Sequence, residues 1–309
     1  METEQIRTLR NIVKLRGTLA ELEVKEGENK NGVAYISLKG AIRFGNSGVE
    51  TKKFRTYVQA QNANGNDNKV YTNIKKWVDH AVPETENKML ATTVSLVGSL
   101  EAKDYVSASN DLIESLEINA KFFNDFEANS EDPATVDVEG YIKSIQDEIR
   151  NDEPTGRKKV TIITTDFFRN AVIVKNIIVP AKLAEGFCSM FSEGDTAILY
   201  LSYILHKGES KPQKPGGIGR QRVTEGKDYL ELVLVGAPPL ESIEEPLEKS
   251  VVKVLLKERA QKLEEIKELG YQGQGSKAAE STPKTKKNTS KKSLTKAEIE
   301  DIDEDDIPF

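Results

Sequence analysis

Apolar and polar residues alternate along most of the first 240 positions, the period expected of half-buried strands. One pattern occurs twice. Val13-Lys-Leu15-Arg-Gly17-Thr-Leu19 and Val136-Asp-Val138-Glu-Gly140-Tyr-Ile142 both place a glycine on the apolar face of a strand, where the chain bends or another backbone comes close. The segments after the two copies match in kind. After the first, alternation predicts strands over 33–44 and 52–60, then a helix over 68–82 with Val70, Ile74, Trp77 and Val78 on one face. Two further strands are predicted over 91–105 and 112–126. After the second, strands are predicted over 157–166 and 169–179. Pro180 then opens a short helix with Leu183, Phe187, Met190 and Phe191 turned inward, and strands over 195–206 and 228–236 complete the unit. Three strands, a helix and two strands, occurring twice at a spacing of roughly a hundred residues, point to a duplicated domain. The expected fold is mainly β, two tandem OB-fold barrels, with a pair of generic β-sandwiches as the rival.

Pro238-Pro239 breaks the last strand. Residues 247–269 then read as an amphipathic helix carrying Leu247, Val251, Val254, Leu255, Ile266 and Leu269. Packing back on the second barrel is its expected role, with self-association as the alternative. Residues 270–297 are rich in Gly, Ser, Thr, Gln and Lys and nearly lack large apolar side chains, the composition of a disordered linker. The predicted organisation is a first OB-fold over 1–128, a second over 129–240, the helix over 241–269, the linker over 270–297 and a terminal segment over 298–309.

Composition narrows the function. With a single cysteine, Cys188, and two distant histidines, His80 and His206, neither a disulfide framework nor a Cys- or His-based metal site is expected. No apolar run approaches the ~20 residues of a membrane span, and the first residues do not read as a secretory signal. No phosphate-binding loop of the G-x-x-x-x-G-K-[ST] type occurs, and no catalytic pairing stands near a motif, so neither an enzyme nor a cofactor is expected. Acidic pairs such as Asp147/Glu148 and Asp152/Glu153 read as a solvated polar turn.

The net charge of −6 opposes a nucleic-acid partner until it is apportioned. Residues 298–309 carry seven acids and no base, so without them the chain is +1. The acidic run ends on Ile307-Pro308-Phe309. Two apolar side chains, a conformationally fixed proline and a carboxylate form a compact group that a basic-rimmed apolar pocket could take.

An OB-fold holds single strands on the face of its second and third strands, between the 1–2 and 4–5 loops. Alternation turns Ile36, Leu38, Ile42, Phe44, Phe54 and Val58 inward. It leaves Tyr35, Lys39, Arg43, Lys53, Arg55 and Tyr57 outward, a mixture of cations for phosphates and flat rings for bases, though a solvated sheet face also carries such residues. In the second unit the 4–5 loop over 207–227 holds Lys207, Lys211, Lys214, Arg220, Arg222 and Lys227 against two acids, a candidate basic flap or a merely solvated insertion. Lys158, within Arg157-Lys158-Lys159, opens the second strand of this unit. Phe167-Phe168 at the 2–3 turn could stack on bases, with core packing expected for at least one ring.

The terminus Asp301-Ile-Asp303-Glu304-Asp305-Asp306-Ile307-Pro308-Phe309 resembles the tip of bacterial single-stranded DNA-binding proteins (SSBs). Barrel, linker and acidic tip also come in their order. Val13-x-Leu15-x-Gly17-x-Leu19 and Asn31-Gly32-Val33-Ala34 are similar to that family's first strand and hairpin. The resemblance implies a cytoplasmic protein, of a bacterial cell or a phage-infected host, that coats single-stranded DNA in replication, recombination and repair. It further implies that Asp303, Glu304, Asp305, Asp306, Ile307, Pro308 and Phe309 recruit helicases, recombination mediators, nucleases and primase-linked factors. The usual chain has one barrel and a linker rich in Gly, Gln and Pro. Two barrels in one chain resemble duplicated SSBs that dimerise, or a phage- or plasmid-borne form, so a homodimer is expected. A recombination mediator or strand-annealing protein on the same barrels, or a DNA-processing enzyme carrying such a tip, are the alternatives.

Overall fold

The computed structural model describes residues 7–44, 51–62, 64–125, 134–150, 152–206, 211–212, 223–224 and 229–270. The expected linker beyond Gly270 and the acidic tip lie outside them.

The first unit contains β1 (Asn11–Glu28), β2 (Ala34–Arg43), β3 (Thr51–Gln59), α1 (Lys69–Val78), β4 (Thr93–Ala102), a small hairpin β5 (Tyr105–Val106) and β6 (Leu112–Ile113), and β7 (Leu116–Asp125). Its strand order is β1-β2-β3-β7-β4, closed by pairing of β4 with β1, and β3 runs parallel to β7. The second unit repeats this with β8 (Ala134–Arg150), β9 (Glu153–Thr165), β10 (Ala171–Val179), α2 (Ala181–Met190), β11 (Thr196–His206), the hairpin β12 (Lys211–Pro212) and β13 (Val223–Thr224), and β14 (Tyr229–Gly236). Here the order is β8-β9-β10-β14-β11, closed by β11 on β8, with β10 parallel to β14. Five strands, a parallel third and fifth, and a helix between strands three and four define an OB-fold barrel, so the chain holds two of them.

Each repeated glycine sits where its first strand changes partner. β1 pairs with β4 through Val13–Thr18 and with β2 from Thr18 onward. A Cβ on Gly17 would stand 2.0 Å from the Arg43 carbonyl oxygen. β8 passes from β11 to β9 at Tyr141, and a Cβ on the preceding Gly140 would lie 2.7 Å from the Ile163 carbonyl oxygen. No side chain fits either corner, which is why alternation is interrupted by glycine there.

Inward residues fill the barrels as the pattern predicts. Leu15, Leu19, Ile36, Leu38, Ile42, Phe54, Leu96 and Ile118 are fully buried in the first, and Val138, Ile142, Ile162, Val174, Leu199 and Leu201 in the second. α1 closes the first barrel with Ile74 and Trp77. The Trp77 ring stacks on Phe123 at 4.5 Å, and its indole N–H donates to Asp125 at 3.0 Å. α2 plays the same part with Ala184 and Phe187, while Met190 points to solvent rather than inward.

The barrels join edge to edge through β1 and β8, which pair antiparallel as Asn11↔Val138, Val13↔Val136 and Leu15↔Ala134. Val13 and Val136 are equivalent residues of the two repeats, so the junction is an internal pseudo-twofold. It merges the ten long strands into one sheet. Asn11 reinforces it by donating to the carbonyls of Leu100 (2.9 Å) and Thr165 (3.0 Å), one in each barrel.

The C-terminal helix α3 (Lys249–Leu269) forms, but it does not pack on the second barrel alone. Its buried residues are Val252, Leu255 and Arg259, whereas Leu269 is exposed. α3 touches β10 of the second barrel and β5 of the first. Arg259 donates to Asp104 (3.1 Å) and Glu114 (3.0 Å), at the base of the β5–β6 hairpin, and to the carbonyl of Ala171 in β10 (3.4 Å). Of the expected stripe Leu255 is buried and Val251, Val254 and Ile266 are half-buried; Val252 and Arg259, outside it, are buried as well because the helix lies in the seam between two surfaces.

Candidate nucleic-acid interface

β2 and β3 keep an unbroken antiparallel register from Tyr35↔Gln59 to Arg43↔Thr51. The chain remains regular through Gly40, where a Cβ would be 2.5 Å from the Phe54 ring; the irregularity falls on β1, between Leu19 and Glu21. One outward face therefore carries Tyr35, Ser37, Lys39 and Arg43 from β2, with Lys53, Arg55, Tyr57 and Gln59 from β3. Tyr35 and Tyr57 are diagonal neighbours with ring centroids 5.2 Å apart and planes tilted by 34°. Gly27 of β1 faces Tyr35, and a Cβ there would stand 3.0 Å from the phenol oxygen, so the glycine lets that ring lie down across the sheet. Tyr57 is 54% exposed.

The four cations of this face are not equivalent. Arg55 lies between Glu101 (3.3 Å) and Glu117 (3.0 Å), and Glu117 also takes Lys103 at 2.8 Å. Arg43 is held by Glu84 at 2.7 Å. Lys39 and Lys53 are exposed and make no close salt bridge among the described residues; Lys39 stands opposite Glu23 of β1, whose carboxyl is held down by Lys25 and, less strongly, by Lys39. Two tyrosine faces and two exposed ammonium groups thus share one open surface.

On the equivalent face of the second barrel the arginines are engaged internally. Lys158 does not belong to it: alternation puts Lys158 on the side of the buried Val160 and Ile162, where it pairs with Asp147 at 2.7 Å. Arg157 reaches Glu148 (3.3 Å) and Glu231 (2.5 Å), and Arg150 reaches the same two acids at 2.9 and 2.6 Å. Glu148 is therefore not a solvated turn residue; it is 2% exposed. Burial pushes its carboxyl up, but hydrogen bonds from Thr155 and Arg150 and the Arg157 charge outweigh that and hold it below the ordinary range. Ile163 and Ala171, on the outward side of β9 and β10, are buried although they lie outside the barrel core, and α3 runs against β10 here. The seam between the barrels continues as a cleft of about 440 Å³ lined by Lys52, Arg150, Lys159, Lys175 and Tyr203. Lys52 sets its ammonium 4.7 Å over the Tyr203 ring, and burial lowers its pKa.

The backbone of Lys211 pairs with Thr224, so a short hairpin stands within the 4–5 loop. Lys207, Lys214, Arg220 and Arg222 lie outside the described residues, as do Asp303, Glu304, Asp305, Asp306, Ile307, Pro308 and Phe309. At the 2–3 turn the expectation that one ring is buried is wrong: Phe167 and Phe168 are 62% and 73% exposed. Lys121 of β7 was not singled out in the sequence, yet its ammonium lies 4.0 Å over the Phe167 ring. No local pattern marks it, because its neighbour belongs to the other barrel. Among the described residues no helix is long and apolar enough to cross a membrane, and no three His, Cys, Asp or Glu side chains cluster as a metal site would require.

Two tandem OB-fold barrels, one with an open aromatic and basic face, define the class of protein. Residues 10–269 match the family model described as YorF, so the chain belongs to the YorF family. A search of the curated proteins finds no match to the sequence. Among solved structures the chain is similar to the wild-type single-stranded DNA binding protein of Thermus aquaticus, at 15% identity over 75% of this chain and 94% of that one, with a TM-score of 0.44. A deletion mutant of the same protein is similar at 12% identity over 75% and 95%, with a TM-score of 0.46.

Proposed function

We propose that this chain binds single-stranded DNA with little regard to sequence, on the outward face of β2 and β3, and is not an enzyme. The observation that carries the reading is the Tyr35–Tyr57 ring pair beside Lys39 and Lys53, two exposed cations with no close salt bridge among the described residues. Rings can stack on bases only where the base faces are free, which excludes an intact duplex, and every base offers such a face. These two exposed lysines supply the phosphate contacts. The resemblance of the terminus to SSBs supports DNA as the polymer and replication, recombination and repair as the setting, in the cytoplasm of a bacterial cell or a phage-infected host. On that reading residues 303–309 recruit the processing proteins, and two chains pair as a dimer.

The test is an anisotropy titration of labelled oligo-dT and of a duplex of equal length. The single strand should bind much more tightly, and Tyr35→Ala with Tyr57→Ala should weaken it by about 1–3 kcal/mol per lost stack. Equal binding of duplex and single strand at moderate salt would overturn the proposal.

A further inference from the structure

The turn joining β9 to β10 sets two phenylalanines in water, and it does so rigidly. The backbone N–H of Asp166 donates to the Asn170 carbonyl at 3.0 Å. Its carboxylate accepts from the Asn170 backbone N–H and side-chain amide, both at 2.8 Å. Arg169 takes a positive φ of 64° to close the loop. Lys262 of α3 holds the Asn170 side chain, and Asn11 ties the adjoining Thr165 carbonyl to the first barrel. A turn this constrained has no room to fold Phe167 and Phe168 inward; they meet edge to face at 5.5 Å and project outward with Arg169.

Their position relative to the first barrel is also set. β3 and β7 run parallel with Arg55 opposite Asn119, and the Thr56 hydroxyl donates to the Ala120 carbonyl. Tyr57 and Lys121 are the next residues along these two neighbouring strands. Lys121 is the extra residue of a bulge in β7, and its ammonium covers the Phe167 ring. From Tyr35 through Tyr57 and Lys121 to Phe167, Phe168 and Arg169, rings and cations succeed one another across the barrel junction.

We propose that this turn, with Lys121, is a second contact point for single-stranded DNA, so that one strand runs from the first barrel's tyrosine pair across the junction onto Phe167 and Phe168. The proposal rests on the reading of the β2–β3 face as the strand-binding surface. The chemistry selects the occupant. An apolar protein partner would have to desolvate Arg169 and Lys121 to reach the rings, whereas a nucleic-acid strand brings phosphates for the cations and base faces for the rings. The second barrel then binds through its turn, because α3 and the ion pairs of Arg157 occupy part of the face that the first barrel uses. A held turn also loses little entropy on binding.

Strand length separates the two contacts. An oligo-dT of about 8 nucleotides fits within one barrel, and one of about 25 exceeds it, given site sizes of roughly 4–16 nucleotides per barrel. For the F167A/F168A double variant the short strand should bind as the wild type does, while the long strand should bind about tenfold more weakly. K121A should weaken the long strand in the same selective way, and it carries the test if the double variant fails to fold. Undiminished affinity for the long strand would overturn the proposal, as would an equal loss at both lengths. A change confined to sedimentation behaviour would overturn it too, by making the turn an interface between copies. Failure of the wild type to bind either strand defeats the β2–β3 reading itself, a result distinct from loss of the extension alone.

Discussion

Lys39 and Arg55 stand directly opposite each other on β2 and β3, and a count of charges treats them alike. Their surroundings do not. Arg55 already satisfies Glu101 and Glu117, so a phosphate would have to compete with two carboxylates for it, whereas Lys39 and Lys53 can take a phosphate without breaking any close salt bridge among the described residues. Removing both lysines should therefore flatten the salt dependence of oligo-dT binding, with the slope of log K against log salt falling by about 1.4 if each holds one phosphate. Titrations at several salt concentrations measure that slope, and an unchanged slope would place the phosphates elsewhere. The outward set of six residues is legible in the sequence, because alternation assigns faces along a strand. Which cations are spent is not, since Glu84, Glu101 and Glu117 come from distant positions that only barrel closure brings near.

At the scale of the element, α3 is the clearest case of partial legibility. Its length and amphipathic character follow from residues 247–269 alone, but its buried face depends on two surfaces from different barrels. Arg259 sits between them, 8% exposed as a side chain, against Asp104 at 7%. Substituting Arg259→Met should cost about 3 kcal/mol in urea denaturation, because removing one partner leaves the other carboxylate buried and unpaired. The effect should depend on pH. Burial pushes Glu114 up, but hydrogen bonds from Arg259 and Lys175 outweigh it and hold the carboxyl below its usual 4.5. A depressed carboxylate stabilises the fold above its unfolded pKa and loses that contribution as pH falls through the folded value. The gap between wild type and variant should therefore be full near neutrality and narrow below about pH 4.5. A constant gap would show that Arg259 acts by packing rather than by charge. The Phe167–Phe168 turn teaches the same lesson in reverse. Adjacent phenylalanines suggest a core, and only the hydrogen-bonded closure from Asp166 to Asn170 forces both rings outward.

Across the whole molecule, the duplicated barrels meet through equivalent strands, and one barrel keeps its strand 2–3 face open while the other covers part of it. Charge is divided along the chain as well, with seven acids in the last twelve residues against a body of +1. Deleting residues 301–309 should leave oligo-dT affinity unchanged or raised, since an anionic segment competes with DNA for the same lysines. It should also abolish capture of processing proteins by an immobilised complex with single-stranded DNA. A large loss of strand affinity on that deletion would contradict this division of labour. The amino-acid sequence by itself determined the succession of strands and helices along the chain, the duplication and most inward faces, because alternation and the corner glycines act locally. Only the tertiary structure decided which barrel presents its face, which cations are held in close ion pairs and where α3 lies. Those outcomes depend on contacts between residues far apart in the chain, which closing two barrels and joining them edge to edge brings together.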